Sequence, residues 1–491
     1  MPSEVPRAVF RLEHGYTFPE GLKAGEWLAN NILLGPTSVS EQVESIYLGK
    51  LAEYQQMAKN VWLDTRGAHA IYVMGKRRSG KTFTLGVLAE GLASSSWLQQ
   101  GTQRQAILLL DTMNVFITMP YTVQDVYGGS SEEGKELVKW KIEAETPNIK
   151  LFHPRGTPAP PATTSLEVAI RPSDLAAEDW AAIFEVDTFS DPIGQLLSEV
   201  YDKVATEGYA DNQGNQVAPH PQFSLDELVQ CLDTAPEVRR FESRTIEAVR
   251  RKLRAIRRIG IFSDKGIDIK QLLIPGQVSV LMLRDLDHVL RGLLIGVIVK
   301  KIMSLRSIAD RFERLAAIEL AKSQSEANKE PAKSREAFKK YQEYTNLASE
   351  GIPRSWLIID EAHNYVPSSG IIGSKEPLKK YINEGRNLGL SIAVATQQPS
   401  GLDRSIQRNA DVLIIHPLSM RDDIEAAHGM INTFVPDSVV CDGRERITSR
   451  MFEQLVRSLP RGYAVVSNDE LSRILIIKVR PRLTVHGGKE Y

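Results

Sequence analysis

Runs of consecutive apolar residues recur along the chain and predict buried strands. The segments between them carry apolar residues at helical spacing. Strands without polar alternation that alternate with helices are covered on both faces, so the pattern predicts an α/β fold built on a parallel sheet. The predicted strands are IYVM (71–74), QAILLLD (105–111), QVSVLML (277–283), WLIID (356–360), LSIAVAT (390–396) and ADVLIIHPL (410–418).

The same pattern divides the chain into five segments. Residues 66–119 and 276–470 are predicted to form the two parts of one sheet-containing core. Residues 120–275, with turn-rich stretches around helical ones, predict a mainly helical insertion. Residues 1–65 predict a short β-rich segment, and residues 471–491 predict a C-terminal strand with an extended tail. The N-terminal pieces are the β-like AVFRLE, SIYLGKL and NVWLD around a candidate helix, GLKAGEWLANNI.

A glycine-rich loop lies between strand 71–74 and the helix that follows it. The stretch GKRRSGKT (75–82) fits the P-loop pattern GxxxxGK[ST], whose glycines let backbone N–H groups turn toward phosphate oxygens at a helix N-terminus. Lys81 is predicted to reach the β- and γ-phosphates, and Thr82 to place its hydroxyl oxygen on Mg²⁺. A glycine turn without a ligand is the alternative. The predicted nucleotide-binding residues are Gly75, Lys76, Arg77, Arg78, Ser79, Gly80, Lys81, Thr82 and Phe83.

An acidic pair ends the strand 356–360. Asp360 is predicted to hold Mg²⁺ through water, and Glu361 to polarise the water that attacks the γ-phosphate. Taken alone, an Asp-Glu pair at the end of a strand is weak evidence, because it is often only a solvated acidic turn. With Lys81 upstream in the same predicted sheet, the pair indicates an ATPase that uses ATP and Mg²⁺.

Three further positions are candidates because phosphoryl transfer depends on positioning and electrostatics. Asp111, at the end of a predicted strand, could bind waters of Mg²⁺ or merely cap the strand. Gln397, preferred over Gln398, ends another strand and could sense the γ-phosphate; a turn residue is the alternative. Arg386, 25 residues after Glu361, is predicted to be an arginine finger given to a neighbouring subunit, unless it is only a surface arginine.

The letters DEAH at 360–363 name a group of helicases, but the chain is too short for their architecture. Such a helicase needs two cores in one chain, with ATP between them. Lys81 and Asp360 are 279 residues apart and only 130 residues follow Glu361, which leaves no room for a second core. The acidic residues are therefore interpreted as a Walker B pair, and His363 as incidental. One core per chain, with a site completed by an arginine, predicts a ring.

Five stretches are characteristic when taken together: GKRRSGKTFTLGVLAEGL, LLLDTMNVF, WLIIDEAHNYVP, EGRNLGLSIAVATQQPSGLDRSIQRNADVLIIHPLS and VRPRLTVHGG. They resemble the HerA-like ATPases of the FtsK–HerA superfamily. The resemblance implies a RecA-like P-loop NTPase core in a hexamer that threads double-stranded DNA through its channel, with ATP sites between subunits. By position, the resemblance implies that Arg386 acts in trans, on the ATP site of a neighbouring subunit. The residues that it implies for the subunit's own (cis) site are Lys81, Thr82, Asp111, Asp360, Glu361 and Gln397.

The chain departs from that family in three places. Members often begin with a small β-barrel, whereas about 65 residues precede the P-loop strand, so the barrel is expected to be truncated or absent. Arg77 and Arg78 stand where the family has a small pair; they could contact nucleotide, DNA or a neighbouring subunit, or be solvated. A second trans arginine before the P-loop strand has no match here, since His69 occupies roughly that place and Arg66 is near.

Charge and composition limit the partners. Sixty Lys and Arg against 61 Asp and Glu give a net charge of −1, so any DNA contact must come from a local patch. Residues 239–258 hold nine Lys and Arg on a predicted helix, either as a DNA contact or as a solvated face. Two cysteines, no signal pattern and no apolar stretch long enough to span a bilayer predict a cytoplasmic protein without a membrane contact.

The resemblance also implies a separate partner, a nuclease or a Sir2-like effector, as in bacterial anti-phage defence. The leading hypothesis is a hexameric DNA translocase that works with this partner. One alternative is a protein-moving or conjugative ATPase of the same superfamily. The other is a nucleotide-bound scaffold ring that assembles and regulates a defence effector without processive translocation.

Overall fold

A computed structural model describes residues 31–35, 44–52, 59–94, 99–100, 104–143, 145–160, 164–184, 186–258, 260–370, 372–431, 439–441, 445–447, 449–468 and 473–488. The predicted strand AVFRLE and most of the candidate helix GLKAGEWLANNI lie outside these residues. The last two residues of that helix prediction, Asn31 and Ile32, begin a strand instead, because they pair with Asn60 and Val61.

The strands of the described residues are, in chain order, β1 (Asn31–Leu34), β2 (Ser45–Leu51), β3 (Asn60–Asp64), β4 (Ala70–Met74), β5 (Gln99–Gln100), β6 (Ala106–Asp111), β7 (Asn148–Pro154), β8 (Ser165–Val168), β9 (Tyr209–Ala210), β10 (Gln216–Val217), β11 (Gln277–Met282), β12 (Ser355–Ile359), β13 (Leu390–Thr396), β14 (Val412–Ile415), β15 (Val439–Cys441), β16 (Glu445–Ile447), β17 (Tyr463–Asn468) and β18 (Arg473–Val479). The helices are α1 (Lys81–Ala93), α2 (Val123–Tyr127), α3 (Glu132–Lys139), α4 (Ala177–Phe184), α5 (Pro192–Asp202), α6 (Leu225–Thr234), α7 (Ser243–Arg258), α8 (Ile269–Leu272), α9 (His288–Glu326), α10 (Pro331–Ala348), α11 (Lys375–Glu384), α12 (Arg404–Asn409), α13 (Arg421–Gly429) and α14 (Ser449–Ser458).

A sheet of 14 strands forms the centre of the described part of the chain. The strands β8, β7, β11, β6, β12, β13, β4 and β14 are neighbours in this order and run parallel. Beyond β14, the sheet continues antiparallel through β17, β18, β2 and β3. The predicted α/β fold with a parallel sheet is thus confirmed for the core, and an antiparallel extension is added to it.

Both faces of the parallel sheet are covered, as the unbroken apolar runs predict. Alternate residues of β4 enter different cores: Ile71 and Val73 pack with the residues of α1, whereas Tyr72 and Met74 pack with those of α9. The sheet is therefore the middle of three layers.

The segment predicted as a mainly helical insertion contains α2 to α8 but also contributes β7 and β8 to the central sheet. The sequence pattern did not indicate these two strands. The first three residues of β7, in the sequence NIKLFHP, are not buried. β8 is the edge strand of the sheet and β7 lies next to it. Part of each strand faces solvent and lacks the unbroken apolar run by which buried strands are recognised.

Parallel strands bring the predicted site residues to two opposite edges of the sheet. The P-loop follows β4, and Asp360 and Gln397 follow β12 and β13, so all three lie at the carboxyl edge. His69 and Arg386 precede β4 and β13, and so lie at the amino edge. The register joins Ile392 to Ala70 and Thr396 to Met74, which places these edges level with each other.

A buried ionic cluster fastens the C-terminal segment to α1. Glu90 of α1 is fully buried and accepts hydrogen bonds from Arg480, Arg482, Leu483 and Thr484. Burial alone would raise the pKa of Glu90, but Arg482 and Arg480 outweigh it and hold the pKa below its usual range. This cluster lays the segment after β18 beside the P-loop helix.

We expect Glu90→Gln to lower the free energy of unfolding by roughly 3–5 kcal/mol, because it leaves two buried guanidinium groups without their anion. Chemical denaturation at neutral pH measures the change. Glu336→Gln is the matched control, since Glu336 forms an exposed pair with Lys340 on α10 and its loss should leave the free energy of unfolding nearly unchanged. Equal stabilities for the two variants would contradict a stabilising role of the buried ionic cluster around Glu90.

Candidate functional site

The P-loop closes tightly between β4 and α1. Gly80 has a φ of 119°, in the left-handed region that favours glycine. A Cβ on Gly75 would lie 2.4 Å from Ser79 Oγ, so a larger residue would push the loop open. Lys81 Nζ donates a hydrogen bond to the Lys76 carbonyl oxygen at 3.0 Å. The loop thus carries its lysine at the start of a helix, as the sequence predicts.

The first turn of α1 contacts the Walker B pair. Thr82 Oγ1 donates a hydrogen bond to Asp360 Oδ2 at 2.7 Å. Burial, followed by the charge of Glu361, raises the pKa of Asp360 to about 6, against the opposing effects of Thr82 and Lys81. A hydroxyl and a carboxylate in contact are oxygen ligands of the kind Mg²⁺ takes, and a divalent cation would stabilise the buried carboxylate. These residues therefore fit the predicted Mg²⁺.

Glu361 is held in an uncommon backbone conformation with one oxygen unused. Its φ is 52°, a left-handed geometry that costs a non-glycine residue about 1–3 kcal/mol. Oε1 accepts a hydrogen bond from Gln397 Nε2. Oε2 is buried and makes no hydrogen bond with any described residue. A carboxylate oxygen without a donor keeps its capacity to accept a hydrogen bond, and Glu361 is among the residues that line the cavity described next.

A cavity of about 800 Å³ joins these groups, a size typical of small-molecule sites. Its lining includes residues of the P-loop, the Walker B pair and Gln397. It also includes residues of α2, α3 and the segment that Glu90 fastens. The charged and aromatic side chains along it include Arg77, Arg78, Phe83, Tyr127, Glu132, Glu133, Glu136, Trp140, Arg461, Lys478, Arg482 and His486.

Gln397 and Asp111, both predicted site residues, have different surroundings at the carboxyl edge. Gln397 contacts Glu361, whereas Gln398 is exposed. Asp111 is buried and its carboxylate accepts backbone N–H groups from Met113, Val115 and Phe116. Burial raises the pKa of Asp111 to about 6, against the effect of these hydrogen bonds. The geometry of Asp111 is that of a strand-end cap, so we leave it out of the proposed metal site.

Arg386 lies at the amino edge of the sheet, opposite the carboxyl edge where the cavity of its own chain lies. It belongs to a turn, Gly385–Leu388, that leads into β13. β13 has seven residues, so at about 3.3 Å per residue its two ends are roughly 20 Å apart. His69 is also at that edge, and Arg66 pairs there with Asp64 at 2.7 Å. None of these side chains can reach the P-loop of the same chain.

Comparison with known proteins identifies the family of the chain. The family model described as the central domain of helicase HerA matches residues 46–302, just over half of the 491 residues. The chain belongs to the HerA central-domain family. It is accordingly a P-loop ATPase of the FtsK–HerA superfamily. The matched residues of this HerA-family chain include the P-loop and end before the Walker B pair. No curated protein matches the chain significantly.

Solved structures of similar shape have little sequence identity with the HerA-family chain. VirB4 of Thermoanaerobacter pseudethanolicus is 13% identical, with a TM-score of 0.47, over 90% of this chain and 97% of that chain. The plasmid coupling protein TrwB in complex with ADP and Mg²⁺ is 14% identical, with a TM-score of 0.44, over 85% of this chain and 86% of that chain.

Sequence reasoning missed two histidines of the HerA-family site. His363, interpreted as incidental, has its Nδ1 3.0 Å from Thr396 Oγ1 and 3.5 Å from Glu361 Oε2. His416 is fully buried beneath the P-loop, 2.8 Å from Thr84 Oγ1 and 3.0 Å from the Tyr463 carbonyl oxygen. Burial lowers the pKa of His416 to about 4. A polar residue at a strand end was the available signal, since His416 directly follows β14.

The described residues lack two further features. No group of three or more His, Cys, Asp or Glu side chains is arranged to hold a metal ion. No helix in this part of the chain combines the length and apolarity needed to cross a bilayer.

Proposed function

We propose that this HerA-family ATPase assembles into a ring, with six subunits as the expected number, and moves along double-stranded DNA in the cytoplasm. The observation that carries the proposal is the separation of Arg386 from the P-loop by the length of β13. A finger at the amino edge cannot complete the site at the carboxyl edge of its own chain. A neighbouring subunit that turns its amino edge toward this cavity can bring the two together.

Within one subunit, the residues of the cavity divide the work of hydrolysis. The P-loop backbone and Lys81 bind the phosphates of ATP. Glu361 Oε2 orients and polarises a water molecule, and Gln397 holds the other oxygen of the same carboxylate in place. When bound, Mg²⁺ supplies positive charge to the phosphates, and Thr82 and Asp360 are the residues that would hold it. Arg386 of the adjoining subunit stabilises the charge that develops on the transferred phosphoryl group.

A surface on α7 supports the DNA part of the proposal. Val249, Leu253 and Ile256 are the buried side of this helix. On the opposite side, four arginines follow one another at intervals of seven, three and four residues and lie within roughly 80° of each other around the helix. They are exposed and make no ion pair or hydrogen bond with any described residue, and we name them the α7 stripe: Arg244, Arg251, Arg254 and Arg258.

Replacement of the α7 stripe by four glutamines is expected to weaken binding of duplex DNA. If each arginine neutralises one phosphate, the slope of log affinity against log salt falls by up to about 3.6. Binding measured by fluorescence anisotropy over a salt series gives this slope. Arg257→Gln and Arg250→Gln are matched controls, because these arginines of α7 already pair with Asp226 and Asp233. Unchanged affinity in the stripe variant would make the stripe a solvated surface.

The ring and the motor are tested together on the purified protein. Native mass determined with ATP and duplex DNA should show a closed oligomer, and DNA should stimulate ATP hydrolysis. Displacement of a third strand from a DNA triplex measures translocation directly. A chain that stays monomeric under all these conditions would end the proposal. An assembled ring without DNA stimulation would favour the scaffold alternative.

The proposal extends to a separate effector chain, a nuclease or a Sir2-like enzyme, acting in defence against phage. Its support is the family resemblance. Co-expression with candidate effectors, followed by co-purification and loss of protection from phage in a Lys81→Ala variant, tests this extension. Protection that persists without nucleotide binding would contradict a motor-driven effector.

A further inference from the structure

A second cluster of charged groups lies at the amino edge of the sheet, opposite the edge that carries the P-loop. Asp411, just before β14, is 6% exposed. Its Oδ1 accepts the Ala70 N–H at 2.7 Å, and its Oδ2 lies 2.6 Å from His69 Nδ1. The same Oδ2 lies 3.6 Å from Arg386 Nη2. Three elements thus converge on one buried carboxylate.

The carboxylate is kept ionised and immobile by its surroundings. Burial alone would raise the pKa of Asp411, but the hydrogen bond from His69, with the charge of Arg386 and the Ala70 amide, outweighs it and holds the pKa below its usual range. Ala70 begins β4, and the ring of His69 stacks on Trp356 of β12. Asp411 is therefore anchored to the sheet itself.

The backbone of the arginine turn is fixed separately. Arg306 of α9 is fully buried and donates from Nε to the Leu388 carbonyl oxygen at 2.6 Å. Arg314, two turns further along α9, donates to the Asn387 carbonyl oxygen at 2.9 Å. Because the backbone of this turn is held on α9, the direction of the Arg386 guanidinium group depends on the torsions of its own side chain.

The contact with Asp411 leaves most of the guanidinium group free. Nη2 of Arg386 lies 3.6 Å from the carboxylate, a distance longer than a hydrogen bond, and the side chain is 42% exposed. Arginine carries five N–H donors. The donors that do not face Asp411 are available to a group outside the subunit.

We infer that Asp411 is the positioning residue for Arg386. It attracts one side of the guanidinium group, so that the remaining donors point away from their own subunit toward the nucleotide of its neighbour. This inference rests on the proposed trans role of Arg386. Groups that orient metal ligands typically contribute about 10- to 100-fold to activity. We expect a similar factor here, because misplacement of a catalytic group by about 1 Å is costly.

Asp411→Asn tests the inference, since it keeps the shape and the acceptor for the Ala70 N–H but removes the charge. We expect kcat for ATP to fall by about 10- to 100-fold, while KM for ATP and the affinity for ADP stay unchanged, because the P-loop is at the other edge. Asp233→Asn, which removes a carboxylate from a pair with Arg250 far from the sheet, is the matched control and should keep full activity.

A double-mutant cycle separates positioning from a general structural effect. In an Arg386→Ala background, Asp411→Asn should cause no further loss, because there is no guanidinium group left to aim. Loss by the same factor in both backgrounds would overturn the inference. A melting temperature near that of the wild type and normal ADP binding check that the variant folds.

Mixed rings supply the last measurement. Asp411→Asn subunits retain Glu361 and should regain activity when mixed with Glu361→Gln subunits, which donate a correctly aimed Arg386. Absence of any recovery would place the defect inside the subunit and overturn the inference. Normal kcat in Asp411→Asn, beside a defective Arg386→Ala, would overturn the role of Asp411 alone. Normal kcat in Arg386→Ala would overturn the trans finger itself.

Discussion

Glu361→Gln is expected to lower the rate of ATP hydrolysis by roughly 10²–10⁴-fold, the usual contribution of a general base. The amide has nearly the shape of the carboxylate, so the left-handed turn and the contact with Gln397 can persist. The amide cannot accept a proton from water, and it lacks the negative charge that polarises the water molecule. ATP binding should survive, since Lys81 and the P-loop are unchanged. Phosphate release and equilibrium nucleotide binding, measured side by side, show this separation.

Glu376→Gln provides the control for Glu361→Gln. Glu376 lies at the start of α11, where its side chain is exposed and, within the described part of the chain, pairs with Lys379. This variant should hydrolyse ATP at the wild-type rate. Any stimulation by duplex DNA should vanish in Glu361→Gln and persist in Glu376→Gln. Hydrolysis near the wild-type rate in Glu361→Gln would mean that another group activates the water.

Arg386→Ala is expected to lower kcat by about 10³-fold or more, since arginine fingers contribute roughly 10³–10⁵. The loss should appear in assembled protein and leave nucleotide affinity of the isolated subunit unchanged. Mixing should reveal its direction. Arg386→Ala subunits keep Glu361, and Glu361→Gln subunits keep Arg386. An interface between one subunit of each kind can therefore contain one complete site. Partial recovery of ATP hydrolysis on mixing is therefore the expected result.

Arg408→Ala is the matched control for Arg386→Ala, because Arg408 is an exposed arginine on α12. It should neither lose activity nor change the behaviour of mixed samples. If no mixing ratio restores hydrolysis to Arg386→Ala, the arginine does not act across a seam. Its contact with Asp411 would then be a structural pair at the edge of the sheet.

Local sequence was sufficient for the elements of the core and for the P-loop. The strands β4, β6, β11, β12 and β13 begin and end within one residue of the unbroken apolar runs that predicted them. Such runs arise because both faces of these strands are buried, so burial leaves a direct trace in composition. The P-loop could be recognised for a similar reason, since its geometry depends on glycines and one lysine that are adjacent in the chain.

Sequence reasoning was weaker where the determining contact joins distant residues. Asp111 ends a strand just as Asp360 does, and the pattern could not tell a cap from a metal ligand. Backbone amides of the next turn occupy Asp111, whereas Thr82, 278 residues before Asp360, reaches that carboxylate. His363 was dismissed for the same reason, because its neighbour Thr396 is 33 residues away.

The sequence by itself determined the layered α/β core, the phosphate-binding loop and the acidic pair, because each depends on neighbours along the chain. Only the tertiary structure decided which polar groups meet. It gathered Thr82, Asp360, Glu361 and Gln397 at one edge of the sheet, and set Arg386 beside Asp411 at the other. The physical reason is that strand direction and register, which no short stretch of sequence specifies, assign each strand end to an edge.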